Sequence, residues 1–292
     1  VSLRVTDVAD ATGSPIVLRR PGAEVRLDPG AGGRIASLQV DGLELLQLRL
    51  PDPIAWGLYP MVPWAGRLRD GTFEFRGRRV ALERTMPPHA IHGTTWTRPW
   101  TATAQSDASA AMAIELAPTW PFGGVARHVV NLDEDGLNLR LEVEADTQAM
   151  PAIVGWHPWF RRQIGAGGAA EVHVDAGSML RRGVDGLPTG ELVAPGPGPW
   201  DDAFTGLRAA PVVRWPGALE LALRSDARWW VVFTERANAV CVEPQTGPPN
   251  GLATGEFDVI EPGRPLVANL RLEWRLLRAT PGRAAPEPPA AS

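Results

Sequence analysis

A chain of 292 residues with 44% apolar side chains can bury a large core, and a formal charge of -4 offers none of the basic surface that nucleic acid needs. The single cysteine, Cys241, excludes an intramolecular disulfide and a cysteine-built metal cluster. No apolar run approaches the roughly 18 to 20 residues of a membrane span, and Val1 to Pro15 lacks a basic-then-apolar leader, so the expectation is a cytoplasmic protein with no membrane partner.

Taken in chain order, the elements have the period of strands. Alternation appears first at Ala23 to Leu27, and Gly30 to Gly33 (GAGG) reads as a turn, because neither a following helix nor a lysine makes it a phosphate loop. Asp41-Gly42 marks another turn, and Leu50 to Asp52 a first possible seam. The run YPMVPWAGRLRDGTFEFRG holds Trp64 and Arg67, then a hairpin signal at Asp70-Gly71. Arg67 carries a rigid fork of donors suited to adjacent hydroxyls or a developing oxyanion, whereas Arg69, Arg76, Arg78 and Arg79 read as a solvated face.

In PPHAIHG, His89 and His92 are three apart, but the prolines and Gly93 make a loop with no convincing third ligand. Hydrogen bonding to hydroxyls is the better use, with Gly93 permitting close backbone approach. Strands follow at Met112 to Leu116 and around His128, a structural or surface histidine, and a turn at Asp135-Gly136 opens the cleanest alternation in the chain. There Leu137, Leu139, Leu141 and Val143 share one face, and Asn138, Arg140, Glu142 and Glu144 the other.

The segment VGWHPWF sets His157 among Trp156, Pro158, Trp159 and Phe160. An imidazole near its ordinary pKa both gives and takes a proton around neutrality, so this is the leading acid–base candidate; the alternative is a histidine packed beside aromatics. Gly165 to Gly168 is a second GAGG turn, and Pro195 to Pro199 a second seam. It leads into Trp200, Asp201, Asp202 and Phe204, read as a packed loop whose carboxylates accept hydrogen bonds if they reach a pocket. After a strand at Ala218 to Leu223, alternation in AVCVEPQ puts Cys241 and Glu243 opposite Val240 and Val242. Glu243 is then a base raised by partial burial or the surface end of a strand, and Gln245 beside it can hold a hydroxyl.

With 29 prolines and 31 glycines, long helices have few places to form, so the expected class is all-β: antiparallel strands in two packed sheets, a single sandwich over residues 1–280, and a disordered Pro- and Ala-rich tail at 281–292. Twelve tryptophans against one tyrosine supply indole faces that match the apolar side of a pyranose, and Trp64, Trp156 and Trp159 are the candidates for that contact.

Together, GGRIASLQVDGLELL, YPMVPWAGRLRDGTFEFRG, HAIHG, VGWHPWF, WDDAF and CVEPQTGPPN resemble, in order and over nearly the whole chain, the aldose 1-epimerase family, also called galactose mutarotases. The resemblance implies a supersandwich β-fold with an open cleft on one sheet and no metal or other cofactor. Glu243 is then the base and His157 the acid, with Arg67, His92 and Asp201 holding a small-molecule sugar. Asp201 is preferred to Asp202 because the family pattern places an aspartate three residues before the phenylalanine matched by Phe204. Two departures stand out: Ala65 and Gly66 precede Arg67 where the family commonly has Asn before the arginine, and Arg161 and Arg162 follow where Phe-Asn often ends the histidine motif.

The implied reaction is anomer interconversion by a monomer or homodimer. Alternatives are epimerisation of a phosphorylated or sulfonated hexose with Arg161 and Arg162 as the anion site, sugar binding without catalysis, or a lyase or hydrolase using Glu243 with Asp201 or Asp202.

Overall fold

The computed structural model describes residues 14–277, so the expected tail at 281–292 lies outside the described residues. The expected class is met: two large antiparallel sheets, of twelve and eight strands, face each other, and three two-stranded ribbons complete the strand inventory. Each expected alternation lies in or at the edge of a strand, Ala23–Asp28, Ser109–Glu115, Gly136–Glu144 and Leu219–Ser225. In Gly136–Glu144, Leu137, Leu139, Leu141 and Val143 are buried, while Glu142 and Glu144 pair outward with Arg127. One apolar cluster runs between the sheets from Ile16 to Leu272. Among the described residues the sole α-helix is the single turn Gly251–Thr254.

The turns divide. Asp41-Gly42 joins Arg34–Val40 to its partner Leu43–Glu44, with both residues at positive φ as a tight hairpin demands. Asp70-Gly71 does not make the expected hairpin. Arg67–Leu68 pairs with Ala90–Ile91, and Thr72–Phe75 turns back on Arg78–Ala81 one turn later, through Arg76 and Gly77. Both dipeptides have positive φ, so local chemistry suits either, and pairing with the distant Ala90–Ile91 decides between them.

The central strand Gly155–Pro158 lies in the twelve-stranded sheet between Leu58–Met61 and Ala239–Gln245. Successive side chains point to opposite faces. Trp156 therefore points between the sheets, where its indole N–H donates to Nε2 of His128 (3.1 Å), from Val125–Leu132 of the eight-stranded sheet. Indole can only donate, so His128 is protonated on Nδ1, which faces the Gly33 carbonyl at 3.2 Å. His128 is thus a fully buried bridge between the sheets, the structural of the two readings and not the surface one, and Gly30 to Gly33 is the turn that receives it. His157, the next residue, is turned to the outer face of the twelve-stranded sheet.

Burial pushes His128 down to about 4 from an ordinary 6.5. The unfolded chain binds the proton first, so the stability this neutral histidine contributes is fully present above pH 6.5 and is lost as pH falls toward 4, at about 1.4 kcal/mol per pH unit. His128→Gln, which can still accept from Trp156 and donate to Gly33, is expected to flatten that acid loss in urea titrations between pH 6.5 and 4. A variant with the wild-type slope places the acid sensitivity elsewhere.

Candidate functional site

An open cavity occupies the outer face of the twelve-stranded sheet. Its floor comes from neighbouring strands. Gly155 pairs with Gln245, and continuing that register by two residues sets His157 opposite Glu243. Nε2 of His157 stands 3.3 Å from Oε1 of Glu243, with both side chains buried. Gln245 donates from its amide to the other carboxylate oxygen at 3.2 Å. Leu58–Met61 flanks His157 on the opposite side and sets Tyr59 directly across from it, the rings stacked at 5.0 Å.

The rim comes from three further segments. Arg67, opposite Ile91 in the Arg67–Leu68 ribbon, lies beside His92, and its carbonyl accepts from the Asn250 backbone N–H. His92 sits at φ 57, strained for a non-glycine residue, with its ring edge-on to His157 at 4.9 Å. The next residue shows why the strain persists. Gly93 has φ 81, and a Cβ there would stand 1.9 Å from the Val62 carbonyl oxygen, so the glycine permits close approach to the chain's own backbone.

Asp201 and Asp202 open the strand Asp201–Leu207 and are not in the loop expected for them, because pairing with Trp229–Phe233 extends to Asp201. Both line the cavity. Asp201 lies 3.4 Å from Arg67 and 3.7 Å from Arg182, and Arg182 also reaches Asp202 (3.5 Å) and Glu235 (3.1 Å).

Of the three tryptophans expected at the sugar, Trp159 alone lines the cavity. Trp156 points into the core, since neighbours on a strand cannot share a face with His157. Trp64 packs on Trp120 at 5.9 Å, in an aromatic cluster continued by Phe73 and Phe122. His89 also stays outside, its Nδ1 accepting from the Asp70 backbone N–H. Arg161 and Arg162, the anion site of the alternative reading, line no part of the cavity, and Arg162 spends its donors on the Thr234 and Arg236 carbonyls. Sequence reasoning missed Tyr59, Arg182 and Arg236. The first carried a signal as the chain's one tyrosine, whereas both arginines come from segments with no distinguishing pattern.

Burial dominates the electrostatics. It pushes Glu243 well above the carboxylate range, helped by Asp201 and opposed by Arg67 and the Gln245 amide. Burial also holds His157 well below the imidazole range, aided by His92, Arg34 and Arg236, and lowers His92 to about 3 with help from Arg67. The His157–Glu243 pair thus carries one proton and no net charge near neutrality, whichever atom holds it. Among the described residues, the group whose ligand atoms lie close enough to share an ion, within 4.8 Å of one another, is this same pair with Cys241.

A family model for aldose 1-epimerase matches residues 17–272. The chain belongs to the aldose 1-epimerase family. Among curated proteins of Escherichia coli K12, it is 24% identical to the uncharacterized protein YihR over 80% of this chain and 85% of YihR. It is 29% identical to the uncharacterized protein YphB, in a match that spans only 35% of this chain and 36% of YphB. Solved structures with the same fold include a galactose mutarotase-like protein from Clostridium acetobutylicum, with a TM-score of 0.80 at 18% identity over 90% of this chain and 95% of that one. Another is the galactose 1-epimerase of Lactobacillus acidophilus NCFM, with a TM-score of 0.75 at 15% identity over 94% and 99%. Family membership supports a carbohydrate epimerase acting on a small molecule. Among the described residues no helix is long and apolar enough to cross a membrane.

Trp64, displaced from the cavity, and Trp159, which lines it, separate packing from a role at the site. Trp64→Ala is expected to cost about 3–5 kcal/mol in chemical denaturation while leaving KM within twofold. Trp159→Ala is expected to lower kcat/KM for the preferred carbohydrate by about 10-fold or more. Equal kinetic losses in both variants would return Trp64 to the ligand.

Proposed function

We propose that this protein interconverts the α and β anomers of a free aldose, opening and reclosing the ring with Glu243 as base and His157 as acid. The observation that carries the reading is the buried 3.3 Å contact between Nε2 of His157 and a Glu243 oxygen inside the cavity. One proton on the pair is what the reaction consumes and regenerates. In the tautomer that places the shared proton on His157, which the Gln245 amide and the Arg67 charge favour against burial, Glu243 takes the proton from the anomeric hydroxyl while His157 gives its proton to the ring oxygen. The bond between the anomeric carbon and the ring oxygen breaks, leaving an open-chain aldehyde, protonated Glu243 and neutral His157.

That distribution is the one burial favours, so the cavity stabilises the intermediate state of its own pair. Rotation about the bond between carbons one and two turns the other carbonyl face toward the ring hydroxyl. Reclosure with both transfers reversed gives the opposite anomer. Arg67, His92 and Asp201 hold the open chain in place through its hydroxyls. Nδ1 of His92 and Oε1 of Gln245 are buried with no partner among the described residues, which leaves them for such contacts.

Anomer exchange measured by NMR at equilibrium, across aldoses and hexose 6-phosphates, tests the reading. Glu243→Gln and His157→Gln are each expected to lower the exchange rate by about 10²–10⁴-fold with the fold intact by near-ultraviolet circular dichroism. The wild-type profile is expected to be bell-shaped. Its acid limb lies below the imidazole range, where neutral His157 gains a second proton for the pair, and its alkaline limb lies well above the carboxylate range, where Glu243 loses the last one. Folded variants exchanging at the wild-type rate would overturn the assignment, and no exchange by the wild type on any sugar would leave a binding protein.

A further inference from the structure

Two aromatic rings stack on His157, and a cation stands against each of them. Tyr59 stacks at 5.0 Å and 25°, Trp159 at 5.0 Å and 18°. Against Tyr59, the Arg34 guanidinium stands 4.8 Å from the tyrosine ring and 4.0 Å from Trp56. Against Trp159, the Arg236 guanidinium stands 4.6 Å from the indole.

The two cations differ in how they are committed. Arg34 is fully buried and donates to the carbonyls of Ala31, Pro53, Trp56 and Trp96, which makes it a fixed post of the core. Arg236 has its backbone tied down, since its carbonyl accepts two bonds from Arg162. Its guanidinium makes no ion pair and donates no side-chain hydrogen bond among the described residues, and the acid beside it in sequence, Glu235, is taken by Arg182. What the Arg236 head group does touch is the ring of Trp159, at the cavity wall.

We infer that Arg236 is a positioning residue for His157, pressing Trp159 against the imidazole so that the ring keeps the plane in which Nε2 meets Glu243. A cation over an indole is attracted by the negative charge of the ring face. Charge adds a second effect. The ionisable groups around the ring are Glu243 and Cys241 from Ala239–Gln245, Tyr59 from Leu58–Met61, His92 after Ala90–Ile91, Arg34 from Arg34–Val40, and Arg236 after Trp229–Phe233. Arg34 and Arg236 both oppose protonation of the imidazole. The inference rests on His157 as the acid of the proposed reaction, but the structural effect can be read without turnover.

The experiment compares wild type with Arg236→Gln, Arg236→Met and Arg236→Lys, following the His157 ring by ¹⁵N–¹H NMR titration and anomer exchange by kcat and KM. Removing the charge is expected to raise the His157 titration by about 0.5 pH unit and lower kcat about 5-fold, with KM within twofold. Lysine is expected to recover at least half of both effects. Unchanged titration and kcat in the uncharged variants overturn the inference. So does a rise in KM alone, which makes Arg236 a sugar contact, or a lysine variant as impaired as glutamine. A shifted His157 titration in a protein whose wild type exchanges no sugar sinks the proposed reaction and leaves the positioning role standing.

Discussion

Trp156 donates its indole N–H to His128 across the two sheets, and that bond decides which way His157 points. On a strand, one side chain directed into the core sends the next to the opposite face. A one-residue slip of Gly155–Pro158 would bury the imidazole between the sheets and expose the indole, so register here is a functional constraint. Both neighbouring strands depend on it. Leu58–Met61 sets Tyr59 across from His157, and Ala239–Gln245 brings Glu243 to its other side.

The cavity these strands floor sets ions beside the neutral His157–Glu243 pair. Arg67 and Arg182 face Asp201 and Asp202, and the pairings at Asp201 are long, 3.4 and 3.7 Å, against about 2.7–2.9 Å for a tight charge-assisted bond. Long pairs hold side chains in place without saturating them. A sugar hydroxyl both donates and accepts, so it can bridge such a pair and satisfy what the ions leave unmet, at less desolvation cost than a charged ligand.

Much of this was legible from the order of residues, where one local rule was sufficient. Alternation in GLNLRLEVEA found its buried face, and the scarcity of helix followed from Pro and Gly. The same rule, applied to VGWHPWF, would have separated Trp156 from His157; abundant tryptophan drew attention to sugar stacking instead. Trp64 was illegible for another reason. Its partner Trp120 is far off in sequence, and only the folded chain reveals the aromatic cluster. Asp70-Gly71 and Arg76-Gly77 carry equal turn chemistry, and a long-range pairing chose between them. Arg182 and Arg236 reach the cavity from a hairpin and a turn whose placement no periodicity encodes.

The departures from the family pattern acquire a physical sense from these placements. Gly66, where the residue before Arg67 is commonly polar, has φ 72, and a Cβ there would stand 2.8 Å from Pro249. Any side chain would be strained and would press the loop carrying Pro249 away from the cavity it lines. The polar group missing before Arg67 is therefore excluded by the approach of the loop that follows Glu243. That loop is tied down beside Arg67, for the Asn250 N–H donates to the Arg67 carbonyl and its side-chain oxygen accepts from the Arg69 N–H. Arg67 is thereby held through its backbone, and its guanidinium is left to face Asp201 and the cavity. The same economy governs Arg162, whose guanidinium fastens the turn bearing Arg236. Gly66 and Arg162 thus each lend rigidity to a residue that lines the site, where misplacing a reacting group by an ångström is costly in rate.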